Sequence, residues 1–199
     1  MFRSARRAIV FPQAEHARFA GTLALAWRDR PPLPFDSFVA GVALHDRGYG
    51  EHDADDLETV ADDRWLEIQR AGYAPRGDDP VADLVVALHV RRLIDEPRDP
   101  SLEEVLPRLY EAAGVAEDDA AAADRITNVC DRIAFEFCFE RPAKGEVRGF
   151  AYALDGRGAI RLDPWPLAVP RLVGIVPAFA AAGYPQRLEP VVVPFDLTP

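Results

Sequence analysis

The residues able to do chemistry in this 199-residue chain are few, and their placement is informative. It has only 4 histidines. His16 shares a stripe with Phe19, Ala20 and Leu23, three, four and seven residues on, which is helical spacing for one apolar face. His45 and Asp46 are adjacent and follow the apolar run Phe38–Leu44. His89 lies midway along the most apolar stretch of the chain. Asp131 is followed at the same three helical intervals by Ala134, Phe135 and Cys138. Each of these polar groups would face a core. A buried carboxylate without a partner costs several kcal/mol, and unpaired buried imidazoles are costly too. A divalent transition metal (Mn, Fe, Co, Ni or Zn) resolves both problems, because it accepts neutral imidazole and ionised carboxylate together. The pattern therefore marks His16, His45, Asp46, His89 and Asp131 as candidate ligands. His52, beside an acidic stretch, is expected to be exposed.

The elements that must position these groups are mostly helical. Ala8–Phe11 reads as a short strand and Pro12–Trp27 as a helix. Asp36-Ser37 offers an N-cap for a second helix reaching about Asp46, where Gly48 is a natural stop. The segment 47–64 is polar and acidic and reads as a loop, so Glu51 and Asp53 read as solvated. A short helix is expected over about 64–71. Asp78-Asp79-Pro80 opens a buried helix running to about Ile94. Ser101-Leu102-Glu103-Glu104 reads as a capping box for a helix to about Ala113, and 120–140 as a long helix. Beyond Pro142 the pattern turns to strands. Val147–Leu154 and Ala159–Leu162 flank the turn Asp155-Gly156-Arg157-Gly158 as a hairpin. Residues 167–183 read as a short helix, and Val191–Leu197 as a strand that Pro194 confines to a sheet edge. The expected fold is a mainly α helical bundle with a small C-terminal β-containing extension, α+β overall. Residues 1–142 would form the helical domain, with a short N-terminal strand. Residues 143–199 would form a small β lobe packed on it, which that strand joins.

Composition bounds the partners. Lys+Arg is 23 against Asp+Glu 33, a net charge of −10. That field disfavours nucleic acid and anionic membranes. No apolar run approaches the roughly 20 residues of a transmembrane helix, and the basic start lacks the apolar core of a signal peptide. Two cysteines, Cys130 and Cys138, lie two helical turns apart and read as buried packing residues in a reducing cytoplasm. A small-molecule substrate is the expected partner, and a homodimer is compatible with the composition.

An early His, an adjacent His-Asp pair at a helix end and a late Asp on a long helix form an ordered set that resembles the HD-domain superfamily. More narrowly, Pro12–Ala17, Ala43–Tyr49, Ala87-Leu88-His89, Cys130–Ile133, Trp165-Pro166 and Phe195-Asp196-Leu197 look like the landmarks of an uncharacterised bacterial family of unknown function sharing that set. The resemblance implies an HD-like all-helical core and a metal held by His16, His45, Asp46 and Asp131. It also implies metal-dependent hydrolysis, with a phosphoester of a small molecule as substrate. Asp46 or Asp131 would both ligate and accept a proton. His89, outside the four-ligand set, would bind a second metal, act as acid or base, or touch substrate. Arg47, Arg91 or Arg92 would meet the phosphate. The alternatives are an HD-type di-iron oxygenase and a non-catalytic metal- or ligand-binding regulatory module.

Overall fold

The computed structural model describes residues 1–50, 53–54, 59–94 and 99–199. Glu51 and His52, on which expectations were placed, lie outside the described residues. In chain order the elements are β1 (Phe2–Arg3), β2 (Ile9–Phe11), α1 (Gln13–Leu25), α2 (Phe35–Ala43), α3 (Asp62–Tyr73), α4 (Pro80–Leu93), α5 (Pro100–Ala113), α6 (Glu117–Cys138), β3 (Pro142–Val147), β4 (Phe150–Asp155), β5 (Ala159–Asp163), β6 (Leu172–Ala180) and β7 (Pro190–Thr198).

The expected mainly α, HD-like helical bundle is overturned. All seven strands join one mixed sheet in the order β1-β2-β6-β7-β5-β4-β3, and only the broader α+β mixture survives. Two misread segments explain the error. Residues 167–183 contain strand β6, not a helix: Val176 and Ala178 are buried while Val173 and Ile175 face out, so both faces are apolar and the alternation is invisible in the sequence. Strand β7 is central, between antiparallel β6 and parallel β5. It tolerates Pro194 because the Asp196 N–H points toward Gly158 on the β5 side. Position 194 has the same parity, and β5 pairing begins only at Asp196. The missing donor therefore faces no strand partner. The strand before Pro12 does reach the sheet, with Ile9 opposite Ala180.

Most helices match their local signals. Asp79 caps α4 by accepting from the Val81 and Ala82 N–H, with Pro80 in the first turn. At α5 the cap is Asp99, which accepts from the Ser101 N–H, rather than Ser101 itself. Pro34 stands at the N-cap of α2, so Asp36 and Ser37 lie inside its first turn, and the helix stops at Ala43. His45 and Asp46 consequently sit in the turn that follows.

One apolar core, including Phe11, Phe19, Leu23, Ile133, Phe137 and Phe195, joins α1 and α6 to the inner face of the sheet. A second packs α4 against α5 through Leu84, Leu88, Leu102, Leu106 and Leu109. Around the site, α1 touches α2 and α6, and α4 touches α2 and α6, which closes a ring of four helices. Gly21 and Gly41 let that ring close. A Cβ on Gly21 would lie 2.6 Å from the Ala43 Cβ, and one on Gly41 would lie 2.6 Å from the Val85 Cβ.

Gly41→Ala sets two effects against each other. The gain in helix propensity is about 1 kcal/mol, while overpacking at a contact this close costs about 1–3 kcal/mol. Because the clash includes the Ala82 Cα, 3.1 Å away, the backbone must shift and the clash prevails. Urea denaturation should show a net loss of stability of up to about 2 kcal/mol; a raised midpoint would refute the tight α2–α4 contact.

Candidate metal centre

The four-helix ring delivers one polar group or pair from each member. His16 comes from α1, His45 and Asp46 from the turn after α2, His89 from α4 and Asp131 from α6. His16, His45 and His89 are at most 2% exposed, Asp46 is 9% exposed, and the Asp131 side chain is 17% exposed. Nothing else this polar is gathered at such depth among the described residues.

The spacing of the atoms is that of a ligand shell rather than of a hydrogen-bond network. His45 Nε2 lies 3.5 Å from Asp46 Oδ2 and 3.4 Å from Asp131 Oδ1. His16 Nε2 lies 3.3 Å from Asp131 Oδ1. His89 Nε2 lies 3.6 Å from Asp46 Oδ1, and its Nδ1 is 3.6 Å from Asp131 Oδ2. The edges of a tetrahedron of N and O ligands about 2.1 Å from a metal are about 3.4 Å. His16 alone makes true hydrogen bonds inside the cluster, from Nδ1 to Asp46 Oδ2 at 2.9 Å and from Nε2 to the Asp131 carbonyl oxygen at 3.4 Å. The Nε2 atoms of His45 and His89 are buried without any hydrogen-bond partner, a costly condition unless another partner belongs there. His16, His45 and Asp46 form one group able to hold a metal ion, and His45, His89 and Asp131 form another.

The surroundings prepare His45 as a ligand. Its Nδ1 lies 2.7 Å from the Val42 carbonyl oxygen in the last turn of α2. A carbonyl only accepts, so Nδ1 carries the proton and Nε2 presents its lone pair to the centre. Two carboxylates with neutral imidazoles also match the charge of a divalent ion. Without an ion, the cluster balances its charge internally. Burial alone would lower the pKa of His16, but Asp131 and Asp46 at its two ring nitrogens prevail and raise it to about 10. Burial would raise Asp46 and Asp131, but the facing imidazoles hold both well below the usual carboxylate range. Burial, with the neighbouring His45, pushes His89 down.

The centre floors a cavity of about 360 Å³, within the size range of small-ligand pockets. Its walls are apolar and aromatic: Phe2, Tyr49, Trp65, Leu93, Phe135 and Phe139. The Phe2 ring stands edge-on to His16, Phe135 and Phe139, at centroid distances of 4.9, 5.2 and 5.4 Å, so strand β1 closes one side. Gln13, 2% exposed, also lines the cavity, and its Oε1 has no hydrogen-bond partner.

The three arginines expected to meet a phosphate are engaged elsewhere. Arg47 pairs with buried Asp83 at 2.7 Å and donates to the Gly72 and Ala74 carbonyls, which clamps the His-Asp turn onto α3 and α4. Arg91 pairs with Glu103 at 3.3 Å, on α5. Arg92 pairs with Asp124 and donates to His89 Nδ1 at 3.1 Å, so it alone reaches the cluster. Asp53 is not a solvated loop residue: its carboxylate accepts from the Gln13 and Ala14 N–H and caps α1 from outside. Cys130 and Cys138 are buried free thiols, as expected. Sequence reasoning missed the cavity walls. Phe135 was recoverable from its position one turn after Asp131, whereas Phe2 and Trp65 reach the site only through tertiary packing.

With the geometry in hand, the family can be stated. The chain matches the family described as a protein of unknown function, DUF3891, over residues 2–178, and it belongs to that family. No curated protein and no solved structure matches the chain. Among the described residues no helix is long and apolar enough to cross a membrane.

The raised pKa of His16 fixes two pH responses. Its folded value, about 10, lies above an unfolded value near 6.5. Stability from its ion pairs is therefore fully present below about pH 6.5 and is lost as pH rises through about 10. An ion must displace this proton, so affinity should rise about tenfold per pH unit between about pH 7 and 9. Calorimetric titration with Zn(II) reads the slope, and a pH-independent affinity would show that His16 does not ligate.

Proposed function

We propose that the protein is a metal-dependent hydrolase acting on a small molecule. The observation that carries this reading is the orphaned, buried Nε2 of His45, facing the Asp46 and Asp131 carboxylates at the floor of an open cavity. A divalent ion held by His16, His45, Asp46 and Asp131 supplies Lewis acidity and lowers the pKa of a water molecule. The chain's own residues do the rest. Asp46 and Asp131 each carry a second oxygen that can accept a proton while the first ligates. The Val42 carbonyl holds the His45 ring at its working angle. The aromatic walls hold the organic body of the substrate and exclude water from the reacting face.

The His-Asp pattern supports a phosphoester as the substrate. With Arg47 and Arg91 committed to structural pairs, most phosphate charge would be met by the ion itself, and the apolar walls favour an ester whose organic part is aryl or alkyl rather than a polyanion. The third histidine and the apolar cavity favour a second reading, a di-iron oxygenase, in which His89 would ligate a second ion.

Purified protein should bind one equivalent of Mn(II), Co(II) or Ni(II) and hydrolyse 1-naphthyl phosphate in preference to glycerol phosphate. Asp46→Asn should abolish both binding and turnover. Bound iron with oxygen uptake would favour the oxygenase. Metal-loaded protein inert across phosphoesters, carboxylic esters and amides would leave a binding module.

A further inference from the structure

Helices α4 and α6 meet along a shared face at which two pairs cross. His89 faces Asp131, and Arg92, one turn further along α4, faces Asp124, two turns back along α6. The Arg92–Asp124 pair is largely shielded, with side chains 15% and 17% exposed. Clasped in this way, Arg92 turns its Nη2 toward His89 Nδ1, 3.1 Å away. A guanidinium has donors only and does not lose its proton. His89 Nδ1 must therefore be the acceptor, and the ring proton must sit on Nε2.

This is the reverse of His45. There a carbonyl accepts a hydrogen bond from Nδ1–H, which keeps the ring proton on Nδ1 and leaves Nε2 with its lone pair. At His89 a cation occupies the Nδ1 lone pair and leaves Nε2 as an N–H. An N–H cannot ligate a metal, and a second cation beside Nδ1 would be repelled by Arg92. Yet His89 Nε2 is buried, lines the cavity and has no hydrogen-bond partner.

We propose that His89 is a hydrogen-bond donor to the substrate at the metal rather than a metal ligand, with Arg92 and Asp124 as the positioning residues that fix its Nε2–H tautomer. The site then holds one ion, and the acceptor for His89 is an anionic or carbonyl oxygen of the substrate. The inference rests on the proposed metal-dependent hydrolysis for that acceptor, but the tautomer stands on the structure alone.

Long-range ¹H–¹⁵N correlation of the histidine rings in the full chain tests it, first metal-free and then loaded with Zn(II). His89 should show a protonated Nε2 and an unprotonated Nδ1 in both states, while the Nε2 of His45 moves on loading. Inorganic phosphate added to the Zn(II) protein should shift the His89 Nε2–H resonance. His89→Gln should keep one Zn(II) per chain and weaken phosphate binding about tenfold, the scale of one hydrogen bond to a charged group. Arg92→Met should let the His89 ring populate the other tautomer, and Arg92→Lys should restore the Nε2–H form, which a purely structural arginine would not do. A proton on Nδ1 in the metal-free chain, a second Zn(II) equivalent lost on His89→Gln, or a His89 signal indifferent to phosphate would each overturn the proposal. A chain that binds no Zn(II) yet shows the Nε2–H tautomer would instead refute the proposed function and leave the tautomer intact.

Discussion

The structure is organised around the cost of placing two carboxylates and three imidazoles in a protein interior. Little water reaches them at the cavity floor, so most of their compensation must come from one another across the helix contacts. That requirement fixes more than the site. It makes α1, the turn after α2, α4 and α6 pack around a common point, and Gly21 and Gly41 remove side-chain bulk where α1 meets the end of α2 and α2 meets α4. In the absence of an ion, His16 takes up a proton and serves as the internal counter-charge. With an ion bound, that proton is redundant, so charge balance links metal binding, protonation and folding.

The sheet stabilises this arrangement from behind. Phe11, Phe19, Phe137 and Phe195 pack α1 and α6 against β2 and β7, so the two helices carrying His16 and Asp131 have a rigid support away from the cavity. The chain start adds a wall. Among the described residues strand β1 pairs with β2 alone, yet it carries Phe2 to the His16 ring. Fold and site are coupled through both ends of the chain, since β2 is held by β6 and β6 by β7.

Much of the site was legible in the sequence because the signal is a contradiction. A histidine on an apolar stripe at helical spacing, or an aspartate followed by Ala134, Phe135 and Cys138, violates the core's composition, and such violations stand out locally. The helices were legible for the same local reasons, through Asp79-Pro80 and the apolar run of α4. The sheet was not. β6 is apolar on both faces and interrupted by Gly174 and Pro177, so it shows no alternation, and although β7 follows it in sequence its other partner, β2, lies near the start of the chain. Arg47, Arg91 and Arg92 show the same limit from the other side. Being next to a site residue says nothing about which carboxylate will claim a guanidinium, and Asp83, Glu103 and Asp124 did so from other helices.

Chemically identical side chains acquire different roles here through what stands behind them. His45 and His89 have ring centroids only 4.4 Å apart, and both present Nε2 to the same centre. A carbonyl behind one and a guanidinium behind the other place their ring protons on opposite nitrogens. One ring can give electrons to an ion, and the other can only donate a hydrogen bond. A count of the cluster's histidines and aspartates would suggest a five-residue ligand set. On the proposed reading, the donors and acceptors behind the rings reduce it to four and leave the fifth residue to meet the substrate.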